Sequence, residues 1–272
     1  MRRVWFVIGA VLIFLGVLAI LNALLAALGI NFRVGWIFWP VVLIAIGVWL
    51  VTGFTRGRIT DVPREQTSLP LDGATEAAIT VRHGAGRLTV SGGAPSEQLL
   101  GGSFGGGLDA ARHAESGRAV VDMRVKDRDI SHYFYPWRRG WAGTLDWNFS
   151  LNTQIPLSLM FETGASESRL SLTDLQVKEL GVKTGASATT VDLPAGAGFT
   201  RVHVESGAAA VKIRVPAGVA AFIQVKSALA GIHIDQGRFP QAAGGYRSAD
   251  WERAANKVEI FVETGVGSVD IY

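Results

Sequence analysis

One short pattern recurs along the second half of this 272-residue chain, and it constrains the fold more than any other feature. Alternating apolar and polar residues lead to Thr or Ser, then Gly, then a small residue, and a second alternating stretch follows. The central residues are Gly164, Gly185, Gly207, Ala228 and Gly265, spaced by 21, 22, 21 and 37 residues, with an isolated earlier copy around Gly84. A period near 20 residues is typical of units that bury their apolar faces only by stacking on one another.

Strict alternation predicts strands that bury one face. Leu159 and Phe161 share a face before the turn, and Leu170 and Leu172 share one after it. The predicted fold class of the body is therefore all-β, a β-solenoid-like stack of strand–turn–strand repeats of about 21 residues. The longest spacing is interpreted as one period plus an insertion at residues 237–256.

The repeat also defines two sets of structural residues. Glycine at the turn is expected to supply a backbone conformation that is closed to residues with a Cβ. These structural turn positions are Gly84, Gly164, Gly185, Gly207 and Gly265. The residues just before the turn share the inward parity, and we expect them to form a hydroxyl ladder satisfied by turn backbone. That ladder comprises Thr163, Thr184, Ser206, Ser227 and Thr264.

Two uncharged apolar runs, residues 4–32 and 34–54, precede the body and are separated by Arg33 alone. Each is long enough to cross a bilayer as a helix, which takes about 20 apolar residues. The predicted organisation is a two-helix transmembrane hairpin at 1–58, a linker at 59–66, an N-terminal β region at 67–155 and the repeat domain at 156–272. A cleaved signal peptide is the alternative for the first run, but signal h-regions are only about 7–15 residues long.

Charge is distributed unevenly between these parts. Five of the 26 basic residues precede Asp61, whereas all 23 acidic residues follow Thr60, so the body is nearly neutral and nucleic-acid binding is not expected. Five basic residues flank the hairpin outside its turn, against Arg33 alone within it: Arg2, Arg3, Arg56, Arg58 and Arg64. This bias favours a cytoplasmic location for both termini and the β body. The chain has no cysteine, which excludes disulfides and thiol chemistry.

Residues 35–47 of the hairpin and the Thr-Gly-Ala-Ser repeats, with Ile155-Pro156 just ahead of them, carry a family resemblance. The hairpin resembles the LiaI/LiaF-like transmembrane region of bacterial envelope-stress proteins. The repeats resemble the toast-rack domain (DUF2154-type) of LiaF-like proteins. The resemblance implies a β-solenoid-like body in the bacterial cell membrane and, as partner, a membrane sensor kinase that responds to cell-wall-active antibiotics.

A dense aromatic stretch lies in the N-terminal β region. It is a possible interaction surface made of Tyr133, Phe134, Tyr135, Trp137, Arg138, Arg139 and Trp141. Arginine and aromatic residues together suit a protein partner or a bilayer interface. The alternative is a loop that caps the open end of the stack.

Little in the sequence asks for catalysis. Gly101, Ser103 and Gly105 match the Gly-x-Ser-x-Gly pattern of a serine esterase, but the three consecutive glycines at 105–107 oppose the helix that this elbow requires. No two histidines stand at i, i+4 or another spacing typical of metal ligands, so neither a metal nor another cofactor is expected.

We therefore expect a membrane-anchored, non-catalytic interaction or regulatory protein in envelope-stress sensing. Its partners would be the lipid bilayer and another membrane or signalling protein. An extracytoplasmic adhesin-like or scaffold module is the alternative, and an esterase using Ser103 is a remote one. The oligomeric state is left open by the sequence.

Overall fold

The computed structural model describes residues 64–115, 117–126 and 145–272. The predicted hairpin, most of the linker and the aromatic residues 133–141 lie outside these ranges. The described chain forms strands and contains no helix. The strands are β1 (Arg64–Pro70), β2 (Glu76–Gly92), β3 (Gln98–Gly105), β4 (Leu108–Glu115), β5 (Arg118–Val125), β6 (Trp147–Leu151), β7 (Pro156–Ser171), β8 (Gln176–Asp192), β9 (Phe199–Arg214), β10 (Val219–Ile234), β11 (Gln241–Ala242), β12 (Gly245–Arg247) and β13 (Asn256–Ile271).

Six long parallel strands form the centre of a mixed sheet, in the order β2-β7-β8-β9-β13-β10. Each repeat of the sequence is one such strand, and the repeats pair almost residue for residue. The Thr163 position, for example, is opposite Thr184, which is opposite Ser206. The all-β prediction is therefore confirmed for the described part of the chain.

Five of the six long strands change their buried parity at the Gly-Ala step, which is Gly-Val in β13; β10 has Ala-Leu there and no buried residue after it. In β7, the buried residues are odd-numbered up to Thr163 and even-numbered from Ser166 onward, with Gly164 and Ala165 exposed between them. We call this two-residue step the corner. Because the parity changes there, the apolar residues of both halves of the strand stay on the inner side and join one hydrophobic core. Leu159, Phe161 and Leu170 are each at most 3% exposed.

The stack does not follow chain order at its end. A stack that added repeats in sequence would place β13 beyond β10. Instead β13 lies between β9 and β10 and pairs in parallel with both. Residues 235–255 carry β11 and β12, and β12 covers the outer side of β10 at Phe222 and Ile223.

The opposite end of the stack contains an interrupted repeat. β5 pairs in parallel with the first half of β2, and β6 pairs in parallel with its second half. Only five residues separate Arg82 from Leu88 in β2, but 22 separate their partners Arg124 and Trp147. The chain therefore carries an insertion at the corner of this repeat, and the aromatic residues predicted as an interaction surface belong to it. β1, β3 and β4 add antiparallel strands around this end.

The corner glycines are needed for close stacking. None of the five has a left-handed φ, so the expected reason, a backbone conformation closed to other residues, is wrong. A Cβ at Gly164 would collide with the Gly84 carbonyl oxygen, and one at Gly265 would lie 2.7 Å from the Gly207 oxygen. The same contact recurs at Gly185 and Gly207, at 3.1 and 3.0 Å. Four of the five glycines thus make room for the carbonyl of the neighbouring strand, and Gly84 is the exception.

This column provides a matched pair of substitutions. Gly164→Ala should destabilise the protein by about 1–3 kcal/mol, because the added methyl group forces the neighbouring strand away. Gly84→Ala is the control, since a Cβ there meets no atom within 4 Å. Chemical denaturation of the full chain measures both free energies of unfolding. Equal losses in the two variants would contradict the steric explanation.

Candidate functional site

An open groove of about 930 Å³ runs across the corners of the six long strands. In-register pairing brings the same three repeat positions of the strands to this groove, apart from Gly185 of β8: a charged residue, a hydroxyl-bearing residue and the corner residue. In β2, His83 occupies the hydroxyl position. The groove therefore presents three parallel rows of like positions.

The first row consists of charged side chains on the outer side. In spatial order it reads Arg82, Glu162, Lys183, Glu205, Glu263 and Lys226. The pairs Arg82–Glu162 and Lys183–Glu205 are both 3.1 Å apart, and Lys226–Glu263 is 3.5 Å apart. All six side chains are at least 40% exposed, so each pair contributes little to stability. The row instead gives the groove a regular pattern of charge. The sequence analysis did not predict this charged row. The signal was present, because a charged residue stands two positions before the first corner residue of every long strand.

Two carboxylates meet in the middle of this row. Glu205 and Glu263 are register partners in adjacent strands, where like charges repel. The pKa of Glu205 is nevertheless lowered, chiefly by a hydrogen bond from His203 and secondarily by one from Lys183. His203 Nε2 lies 2.8 Å from Glu205 Oε1, and its ring stacks on Phe261. Glu205 therefore stays ionised at neutral pH and is held by two cationic or hydrogen-donating neighbours.

The second row contains the residues predicted as a hydroxyl ladder, but their hydrogen bonds run from hydroxyl to hydroxyl and not to turn backbone as expected. Thr163 Oγ1 donates to Thr184 Oγ1 over 3.0 Å, and Ser206 Oγ donates to Thr264 Oγ1 over 2.9 Å. The three threonines are buried, whereas Ser227 on the edge strand β10 is exposed. The two bonds join neighbouring strands directly, hydroxyl to hydroxyl. They help to hold adjacent corners in the same register.

His83 takes the place of a hydroxyl in the first strand of this row. It is 1% exposed, and its Nε2 lies 2.6 Å from the Leu145 carbonyl oxygen. A carbonyl can only accept, so Nε2 carries the proton. Nδ1 is buried and has no hydrogen-bond partner among the described residues. Burial lowers the pKa of His83 against the opposing effects of the Leu145 carbonyl and Asp146, so the imidazole is neutral. The sequence did not reveal this burial.

Catalytic geometry is not assembled around the sequence-predicted serine. Ser103 lies in the middle of β3, opposite Gln66 of β1 and Asn148 of β6. A nucleophile elbow requires a sharp turn from a strand into a helix, and Ser103 is not at such a turn. No group of three or more His, Asp or Glu residues in the described ranges could hold a metal ion. The charged residues of the groove are spread along a row rather than directed at one point.

No helix in the described ranges is long and apolar enough to cross a bilayer. Both predicted spans fall before residue 64, outside those ranges. Residues 133–141 also fall outside, but the flanking residues locate where their segment begins and ends. The chain leaves β5 at Val125 and returns at Leu145, which packs against Gly86 at the first corner.

In the described residues, the structure defines an all-β body in which parallel strands stack through glycine corners. The family model described as the N-terminal domain of toast_rack, DUF2154, matches residues 58–214, more than half of the chain. The protein therefore belongs to the toast-rack family, as its repeats indicated.

Structural comparison agrees with this fold. A crystal structure from Clostridium sporogenes ATCC 15579, described as a putative cell adhesion protein, is similar with a TM-score of 0.66 and 19% sequence identity. The match covers 77% of this chain and 98% of that one. No curated protein matches the sequence. At this level of identity the likeness concerns the fold alone.

The neutral His83 predicts a pH dependence of stability. The unfolded chain takes up a proton near the reference pKa of 6.5, whereas the folded chain resists protonation because the ring is buried. Stability is therefore full above that pH and falls as the pH drops below it, by at most about 1.4 kcal/mol per pH unit. The variant His83→Gln keeps a hydrogen-bond donor for the Leu145 carbonyl but cannot titrate. In it, the decrease of the unfolding free energy with falling pH that arises from His83 should disappear.

Thermal unfolding of the full chain between pH 7.5 and 5 measures this slope. His113→Gln is the control, because His113 is exposed on β4. An unchanged slope in His83→Gln would rule out this histidine as its source.

Proposed function

We propose that this protein is a membrane-tethered, non-catalytic module that binds another membrane or signalling protein of the bacterial cell envelope. The observation that carries the proposal is the form of the groove. Its charged side chains pair with one another along an extended row, which suits recognition of a protein surface better than chemistry at a single point. Membership of the toast-rack family is consistent with such an envelope-associated module.

The groove supplies a surface of defined charge for this binding. The cations of the groove each lie beside a carboxylate on an adjacent strand, at Arg82, Lys183 and Lys226. A partner with complementary charges at the same spacing would bind in one defined alignment. The rows rest on strands that are paired on both sides, apart from β10, so little conformational entropy is lost on binding. The solenoid-like stack acts as a rigid scaffold in this proposal.

The aromatic residues at 133–141 are proposed as a second part of the contact surface. The segment that contains them begins and ends at the first corner, between β5 and β6. Arginine and aromatic residues are enriched where binding energy concentrates in protein interfaces.

The hairpin at 1–58 is proposed to hold the β body at the membrane, with both termini in the cytoplasm. Tethering raises the effective concentration of the module toward other membrane proteins. By family resemblance, a sensor kinase of envelope stress is the proposed partner. The flanking arginines are the observation behind this orientation.

Co-purification tests the binding proposal. The full chain, extracted in mild detergent, should retain a membrane signalling protein. Lys183→Glu should abolish that retention, because it places a third carboxylate between Glu162 and Glu205. Lys212→Glu is the matched control, since Lys212 is exposed on the second half of β9, away from the groove. Loss of the partner in both variants, or in neither, would count against the groove.

An extracytoplasmic adhesin-like scaffold is the second candidate, favoured by the structural similarity to a protein described as adhesive. The two candidates differ in the side of the membrane. Reporter fusions at Tyr272, one active only in the cytoplasm and one only outside it, should give cytoplasmic activity if the first proposal holds. Activity of the external reporter alone would replace it with the second.

A further inference from the structure

The two ends of the strand stack are finished differently. At one end, β1 carries Arg64, Glu65 and a terminal proline, and the outer strand β4 carries Asp109, Arg112 and Glu115. Charges and prolines of this kind prevent a sheet edge from pairing with another chain. At the other end, β10 is covered by β12 only around Phe222 and Ile223.

The second half of β10 is an open edge. Residues 227–234 pair with β13 on one side, and no described strand pairs with them on the other. This stretch contains no proline, lysine, arginine or carboxylate. We call it the free edge.

The free edge also leaves the core uncovered. Ile232 is the register partner of Val269, whose side chain belongs to the core. Val269 is fully buried, whereas Ile232 is 39% exposed. Leu229 is 79% exposed, and its register partner Val266 in β13 is 52% exposed. The same corner position is alanine in β7, β8 and β9. A terminal repeat normally has a polar outer face, and this one keeps the aliphatic residues of an internal repeat.

We propose that a second copy of this chain covers the free edge by antiparallel pairing of β10 with β10 of the other copy. Such pairing satisfies the unpaired backbone groups and places Ile232 and Leu229 of both copies against apolar surface. Ala228, Ala230 and Gly231 are small enough to allow the close approach.

Charge complementarity favours this occupant and this direction. Lys226 precedes the free edge and Asp235 follows it, and both are exposed. Within one copy, Lys226 also pairs with Glu263, and Asp235 accepts hydrogen bonds from the N–H groups of Gly237 and Arg238. Antiparallel pairing brings the Lys226 end of each copy to the Asp235 end of the other, whereas parallel pairing would align lysine with lysine. The polar, charged end at β1 and β4 offers no apolar match, so head-to-tail stacking is disfavoured. The contact is therefore two-fold symmetric and closed.

Cysteine cross-linking in membranes tests the proposal, since the natural chain has no cysteine. Single cysteines in the full chain replace Ser227, Leu229, Gly231 or His233 in turn. A disulfide needs Cα atoms within about 7 Å, so mild oxidation should give a dimer that is strongest near the two-fold axis and falls off on either side. Control cysteines replace Ala210, outward on the central strand β9, and Ala111, on the charged edge strand β4.

A charge substitution provides the second measurement. Ile232→Glu should weaken self-association of the detergent-solubilised chain at least about tenfold, because pairing would bury a carboxylate. Ala210→Glu should leave it unchanged. A native circular-dichroism spectrum and a cooperative unfolding transition of each variant separate lost association from lost folding.

Two results would overturn the proposal. One is cross-linking at Ala210 or Ala111 as strong as at the free edge, which would indicate random collision. The other is a folded chain that stays monomeric and uncross-linked at all four edge positions, which would assign the edge to a different partner.

Discussion

The whole stack depends on how closely neighbouring corners can approach. Parallel strands lie about 4.8 Å apart, and at four corners the carbonyl oxygen of one glycine occupies the space that a Cβ on the next would need. The glycine column therefore constrains how β2, β7, β8, β9 and β13 stack. Once these strands are in register, each repeat position becomes a row across the sheet, and the core rows, the hydroxyl bonds and the charged row all follow from that register.

The strand order then decides the electrostatics of the surface. Read along the chain, the residues two positions before each corner alternate in sign without exception, from Arg82 to Glu263. The insertion of β13 between β9 and β10 breaks that alternation and places Glu205 beside Glu263. His203 and Lys183 on one side, and Lys226 on the other, compensate the repulsion. The groove thus has an acidic centre between outer cations.

Periodicity was sufficient to predict the long repeat strands and their buried faces, because Leu159, Phe161 and Leu170 repeat at constant offsets. The toast-rack family was indicated by the resemblance of the Thr-Gly-Ala-Ser repeats to that domain. It could not predict strand order. The valine-rich patterns of β10 and β13 are equally suited to pair with β9, so the choice depends on the connections and not on the repeat. Nor could it predict the burial of His83, which depends on Leu145, 62 residues away. The reason for the corner glycines likewise lies in a neighbouring strand and not in their own φ.

The placement of β13 has a consequence for how this protein is made. A ribosome produces β10 before β13, and domains generally begin to fold from the N-terminal side during synthesis. Until β13 emerges, β9 and β10 each lack the neighbour that separates them in the finished sheet. Before then, the edges of β9 and β10 are available to each other and to chaperones or proteases. Once β13 pairs with β9 and β10, both edges are covered and are no longer accessible to chaperones or proteases.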